Sequence, residues 1–287
     1  MNTKDLIRKV RKIEIKTKGL TSQIFSGEYH SAFKGKGMAF SEVREYAVGD
    51  EIRTIDWNVT ARFGEPFVKV FEEERELTVM LIVDISNSGM FGTKNALKRE
   101  LITELCAVLA FSAAANKDRI GLILFSDKIE KYIPPKKGKS HVLRLIRELI
   151  FAEPTGKCTD ITAALKFFSK MVKKKSTAFL LSDFRSKDYS DAIKIAARKH
   201  DLIALKFNDI AESELPNIGI AKFNDLESGK TKWINTSIKS VREKYKQKQI
   251  DFDLKTKDIF RHSNIDYTEI LTDKDYIKPL MNLFKRR

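Results

Sequence analysis

Residues 77–83 read Leu-Thr-Val-Met-Leu-Ile-Val, an apolar run rich in Val, Ile and Leu that predicts a strand buried on both faces. It ends abruptly in Asp84, with Ser86 and Ser88 spaced two apart behind it, and a helical pattern begins near Lys94. Strand, polar loop and helix open a βαβ unit, and ligands of such sheets sit outside the carboxyl ends of the strands. One carboxylate and two hydroxyls at that place offer oxygen ligands to a hard cation such as Mg²⁺, which prefers an octahedron of oxygens.

The alternation continues downstream. Leu97, Leu101, Ile102, Leu105, Val108 and Leu109 predict a long, largely buried helix over 95–115, and 119–125 is a second buried strand. A turn at 126–128 precedes a strand over 129–133, which Pro134 and Pro135 are expected to stop. Helices follow over 141–151 and 161–172, separated by a turn-rich loop, 153–160, that carries Thr159. The segment 177–182 is a third buried strand, again ending in an aspartate, Asp183. A helix over 189–199, a strand over 201–207, a hairpin from 219–223 and 231–234, a charged helix over 237–260, a short mixed segment over 265–271 and a last helix over 276–284 complete the chain. Strands alternating with helices predict an α/β fold with a doubly wound, mostly parallel sheet. In such a fold the loops holding Asp84, Thr159 and Asp183 can converge on one edge of the sheet.

Before this sheet the pattern is different. Leu6, Ile7, Val10 and Ile13 stand at helical spacing among lysines and arginines. Such a helix either packs on its own domain or lies on an acidic membrane surface. Residues 25–76 are broken by Gly27, Gly35, Gly37, Gly49 and Gly64 into short segments with strand-like alternation, and predict a small, irregular, mostly β subdomain. Its mixed arginines and carboxylates (Arg44, Glu45, Asp50, Arg53, Asp56, Arg62 and 72–76) suggest ion-paired struts against the neighbouring domain. Trp57 is expected to be buried at that join. The division is therefore 1–75, an N-terminal helix plus β-rich subdomain, and 76–287, the α/β domain.

Composition narrows the function. The 287 residues suffice for a sizeable core, and two cysteines, Cys106 and Cys158, argue for core thiols in a reducing compartment. No apolar block resembles a signal peptide, and none approaches the ~20 residues of a membrane span, so the expected location is cytoplasmic. The net charge of +15 is mostly lysine, gathered around residues 136–139, 173–175 and 239–257. Dispersed lysines usually mark a solvated face, and with no reader motif nucleic-acid binding is disfavoured. The four histidines are scattered outside the three loops, which leaves a metal-dependent hydrolase without a general base. No glycine-rich phosphate loop is present either.

The run Asp84-Ile85-Ser86-Asn87-Ser88, with Thr159 and Asp183 downstream, resembles the metal-ion-dependent adhesion site of von Willebrand factor type A domains. Gly35-Lys36-Gly37, Phe40, Arg44-Glu45-Tyr46, Gly49-Asp50, Arg53, Ile55-Asp56-Trp57, Thr60-Ala61-Arg62 and the run 71–76 are similar to the signature of bacterial domain-of-unknown-function family 58. One departure is Gly89-Met90, where relatives often place Met directly after the second serine. The resemblance implies a von Willebrand A-like, Rossmann-like sheet and a non-enzymatic interaction module. It implies Ser86 and Ser88 as direct metal ligands, Thr159 as a direct or water-mediated one, and Asp84 and Asp183 acting through water. The implied cofactor is Mg²⁺, with Mn²⁺ or Ca²⁺ as alternatives. The implied partners are a protein ligand donating an Asp or Glu to the metal and a MoxR-type AAA+ ATPase.

Overall fold

The computed structural model describes residues 39–72, 76–87, 98–156, 158–224 and 231–287. The helix expected over 3–13, Ser88 with the predicted start of the long helix, and the hairpin turn at 225–229 lie outside the described residues. The chain forms two compact units, Phe33–Leu77 and a larger one that includes Thr78–Arg287.

In the small unit β1 (Ala39–Glu45) pairs antiparallel with β2 (Phe67–Glu72). Between them lie a 3-10 turn, Ile52–Thr54, and a helix that the alternation did not predict, α1 (Trp57–Phe63). Its ends are set chemically rather than by periodicity. The Asp56 carboxylate accepts from the N–H groups of Asn58 and Val59 at 3.0 and 3.3 Å, and Gly64 ends the helix with φ 77°, a left-handed conformation that glycine adopts without a Cβ penalty. Trp57, the first residue of this helix, is 67% exposed, against the expectation of burial. The polar cluster forms pairs inside the unit: both guanidinium NH groups of Arg44 donate to Asp50 at 2.7 Å, and Lys69 stands 3.5 Å from Asp56.

The large unit consists of β3 (Thr78–Asp84), α2 (Lys98–Ala115), β4 (Arg119–Phe125), β5 (Ile129–Lys136), α3 (Lys139–Phe151), α4 (Ile161–Met171), β6 (Thr177–Ser182), α5 (Ser190–Lys199), β7 (Asp201–Asn208), α6 (Ile210–Ser213), the hairpin β8 (Ile220–Asn224) and β9 (Thr231–Asn235), α7 (Lys239–His262), β10 (Asp266–Leu271) and α8 (Ile277–Lys285). Six strands form one sheet in the order β10-β7-β6-β3-β4-β5. All neighbours are parallel except β5, which runs antiparallel to β4. This is the expected doubly wound α/β sheet. Two expectations change in detail. The strand from Ile129 continues through Pro134 and Pro135, because an edge strand tolerates residues without an N–H. The mixed segment near 265–271 is the opposite edge strand, β10.

β3 lies between β4 and β6, so both of its edges are hydrogen-bonded. Its residues from Val79 to Val83 are almost wholly buried, which explains the unbroken apolar run. Alternation splits them between two layers. Met80 and Ile82 pack with Ile161, Leu165, Phe168, Ile193 and Phe260 of α4, α5 and α7. On the same sheet Phe179 meets Phe284 of α8, ring centroids 6.4 Å apart. Each fully buried aliphatic or aromatic side chain contributes about 1.5–3 kcal/mol.

The topology selects one place for chemistry. From β3 the chain first builds outward through β4 and β5, then returns to lay β6, β7 and β10 on the other side of β3. The strand order therefore reverses between β3 and β6, and the crevice at their carboxyl ends is where open α/β sheets bind ligands.

Candidate metal centre

Asp84 closes β3 and Asp183 follows β6, and the pairing of Val83 with Leu181 brings these strand ends together. Both carboxylates are buried. Asp84 Oδ1 accepts from the Ser86 N–H at 2.9 Å, a local turn that holds the loop against the strand. Asp84 Oδ2 accepts from the Ser182 hydroxyl at 2.6 Å. Ser182 Oγ in turn accepts from the Phe184 N–H at 2.9 Å. Burial first, and the neighbouring Asp183 charge second, push the Asp84 carboxyl above the ordinary carboxylate range.

Phe184 turns the chain after Asp183. Its φ of 62° lies in the left-handed region, which costs a non-glycine residue about 1–2 kcal/mol. Burial offsets this: the Phe184 ring is fully enclosed and packs at 4.9 Å on Phe260. With Phe184 drawn inward, Asp183 Oδ1 accepts from the Arg185 N–H at 3.1 Å.

The Thr159 loop is fixed from two sides. Glu130 of β5 accepts from the Ser126 hydroxyl at 2.6 Å, the Thr155 N–H and hydroxyl at 2.9 and 2.7 Å, and the Gly156 N–H at 3.0 Å. The Asp160 N–H donates to the Ser126 carbonyl at 2.8 Å. Ser186, three residues beyond Asp183, donates its hydroxyl to the Thr159 carbonyl at 3.0 Å and accepts from the Ile161 N–H at 3.3 Å. The Thr159 and Asp183 loops are thus tied to each other. The helix cap of α4 is Asp160, whose carboxylate accepts from the Ala163 N–H at 2.9 Å, so Thr159 is not its capping residue. Thr159 itself is buried, whereas Cys158 beside it is exposed. The expectation that both cysteines are core thiols holds for Cys106 alone, since the loop turns Thr159 inward and Cys158 outward.

Of the five residues expected at the metal, Asp84, Ser86 and Asp183 lie at the ends of adjacent strands, and Thr159 lies on a loop bonded to the Asp183 turn. Ser88 falls outside the described residues. Among the described residues no three His, Cys, Asp or Glu side chains gather to hold a metal. The donors here are instead two carboxylates with serine and threonine hydroxyls. An all-oxygen set with two buried negative charges fits a hard divalent cation.

One residue was not anticipated. Lys98, in the first turn of α2, is 1% exposed. Its ammonium lies 3.4 Å from Asp183 Oδ2 and 2.6 Å from Glu212 of α6. The signal was present in the sequence: Lys98 falls on the same helical stripe as Leu101, Ile102 and Leu105, and a lysine on a buried stripe needs a carboxylate partner.

Comparisons with known proteins agree with this architecture. The chain is 28% identical over 223 residues to the uncharacterized protein Rv1480 of Mycobacterium tuberculosis, covering 77% of this chain and 70% of that protein. Among solved structures it is similar to the conserved hypothetical protein BatB from Bacteroides thetaiotaomicron, with TM-score 0.51 and 15% identity over 73% of this chain and 98% of that one. It is also similar to an aerotolerance-related membrane protein from Bacteroides fragilis, with TM-score 0.50 and 16% identity over 74% of this chain and 100% of that one. Both likenesses are of fold. No helix among the described residues is long and apolar enough to cross a membrane. The model of the family described as Protein of unknown function DUF58 matches residues 42–252, from β1 through most of α7, and the chain belongs to that family.

Proposed function

We propose that this protein is a non-enzymatic, metal-dependent interaction module. It holds Mg²⁺, or Mn²⁺ or Ca²⁺ in its place, through Asp84, Ser86, Ser88, Thr159 and Asp183, and binds an acidic protein ligand through the ion. The observation that carries this reading is the juxtaposition of two buried carboxylates, Asp84 and Asp183, at the point where the strand order reverses. A divalent ion bound there supplies a Lewis-acidic position for an outside carboxylate. The residues of the chain provide the rest. Ser182 and the Ser86 N–H orient Asp84, the Phe184 turn orients Asp183, and the Glu130 and Ser186 contacts fix the loop of Thr159.

No histidine among the described residues stands in the crevice to act as a general base, which favours binding over hydrolysis. Of the described histidines, His141 bonds to the Ile120 carbonyl, His200 to Ser176 at the amino ends of β6 and β7, and His262 to the Asp258 carbonyl at the end of α7. A MoxR-type AAA+ ATPase is the partner that the family resemblance suggests, with chaperone-like assembly or remodelling in the cytoplasm as the setting.

Calorimetric titration of Mg²⁺ into metal-free wild type and into the Ser86→Ala, Ser88→Ala double variant tests the site. Binding by the folded wild type and loss in the folded double variant is the expected result; equal binding by both would refute the ligand assignment. A pull-down of the ATPase with and without chelator then tests the partner, and capture that ignores the chelator would refute metal-mediated binding.

A further inference from the structure

Lys98 stands where a metal-binding crevice would least be expected to hold a fixed positive charge. It is one of the largest fully buried side chains of the protein. Its ammonium is shared between Asp183, at 3.4 Å, and Glu212, at 2.6 Å to one carboxylate oxygen and 2.8 Å to the other. A buried ammonium is tolerated only when paired. The pairing is uneven, with the shorter contacts going to Glu212. Glu212 is itself held in place: Tyr245 of α7 donates its hydroxyl to the Glu212 carbonyl at 3.1 Å, and the Asp209 N–H lies 3.3 Å from Glu212 Oε2.

We infer that Lys98 is a tethered cation that competes with the divalent ion for Asp183, and that Glu212 sets the outcome by drawing the ammonium aside. This rests on the metal-dependent reading above and adds to it a residue that tunes affinity without being a ligand. Lysine suits the task, because its ammonium is a compact point charge on a flexible stem and can lean from one carboxylate to the other. In the absence of a divalent ion Lys98 neutralises part of the charge of Asp183. When an ion is present, Lys98 opposes it, and the opposition is weaker the more fully Glu212 holds the ammonium. The ammonium contacts Asp183 and Glu212, whereas Asp84, the other buried carboxylate, is steadied by Ser182 and the Ser86 N–H. The competition therefore acts on one of the two acidic residues. The partner's carboxylate restores negative charge to the crevice, so metal and ligand bind more tightly together than either does alone.

The test is a calorimetric titration of Mg²⁺ and of Mn²⁺ into wild type, Lys98→Met, Glu212→Gln and the double variant, with a thermal melt of each with and without the ion. Lys98→Met removes the charge while keeping a long apolar stem. Its divalent affinity is expected to rise by roughly ten- to a hundredfold, the scale of removing one nearby like charge from a partly screened site. Glu212→Gln, which leaves the ammonium to Asp183, is expected to weaken binding, and to have less than a twofold effect once Lys98 is methionine. That double-variant cycle separates an effect passed through Lys98 from the general field of Glu212.

Affinity of Lys98→Met within twofold of wild type, or an equal effect of Glu212→Gln in both backgrounds, would overturn the inference while leaving the metal site standing. Binding by none of the four proteins would remove both readings. A silent wild type beside a binding Lys98→Met variant would support the competition and count against metal use by the isolated wild type. Should Lys98→Met melt too low to titrate, the same cycle is run with Lys98→Gln and read by the same criteria, and unchanged binding by folded Glu212→Gln overturns the inference in either case.

Discussion

The Ser182 hydroxyl donates to Asp84 Oδ2 across 2.6 Å, joining residues 98 positions apart in the chain. It links the ends of β6 and β3 at the point where the strand order reverses. The same oxygen accepts from the Phe184 N–H, so a single side chain braces both aspartate loops. Ser182→Ala leaves the buried Asp84 carboxylate short of a donor and the Phe184 N–H without this acceptor. A loss of about 1–3 kcal/mol is expected, read as a lower denaturation midpoint with an unchanged slope. An unaltered midpoint would show that the brace is dispensable.

Glu130 gives the protein a defined response to acid. Burial alone would raise its carboxyl, but the hydroxyls of Ser126 and Thr155 and the N–H groups of Gly156 and Thr155 outweigh that and hold it at about 2, below its ordinary 4.5. A carboxyl with a depressed folded-state value stabilises the fold fully above its unfolded value, and that contribution disappears as pH falls through the folded one. Denaturation of wild type and Glu130→Gln at pH 7 and at steps down from about 4.5 toward 2 is expected to show wild type the more stable at pH 7 and the gap closing within that window. A gap independent of pH would assign the effect to shape rather than charge.

Gly156 is required by space. A Cβ there would lie 1.9 Å from Asp127 Oδ1 and 2.3 Å from Ser126 Oγ. The Asp127 side chain is exposed, but Ser126 is buried and already donates to Glu130. Gly156→Ala should therefore displace the loop carrying Thr159, lowering stability by about 1–3 kcal/mol and weakening Mg²⁺ binding in the same titration. A variant with wild-type melting and affinity would remove Gly156 from the support of this loop.

Trp57→Ala is expected to change stability by no more than about 0.5 kcal/mol, since the ring is 67% exposed. A fall of several degrees in Tm would mean that the indole is covered in solution.

What was legible in the chain followed from local chemistry. β3, β4, β6 and β7 announce themselves as apolar runs because both faces are covered, and Asp84 and Asp183 are conspicuous because each ends such a run. α1 was hidden because seven residues are too few for a helical period to emerge among short alternating segments. Its cues were the Asp56 cap and Gly64. β5 was cut short because proline normally breaks strands, and nothing local announces that this strand lies at an edge. The supports of the crevice were not legible for a different reason. The Ser182–Asp84 and Lys98–Glu212 contacts span 98 and 114 residues, and only the order of strands in the sheet brings those partners together.

The prolines of β5 have one more effect. An exposed sheet margin invites another backbone to join it, by binding an extended peptide or by stacking copies into a fibre. Here that margin carries Pro134 and Pro135 in succession, opposite the point where the pairing of β5 with β4 shifts register between Ile120 and Leu122, and is flanked by the exposed Lys131 and Lys136. An incoming strand meets a ladder interrupted by two residues without an N–H, between charged side chains. Recognition of an extended peptide along this side of the molecule is thereby discouraged, and so is self-assembly as the protein becomes concentrated.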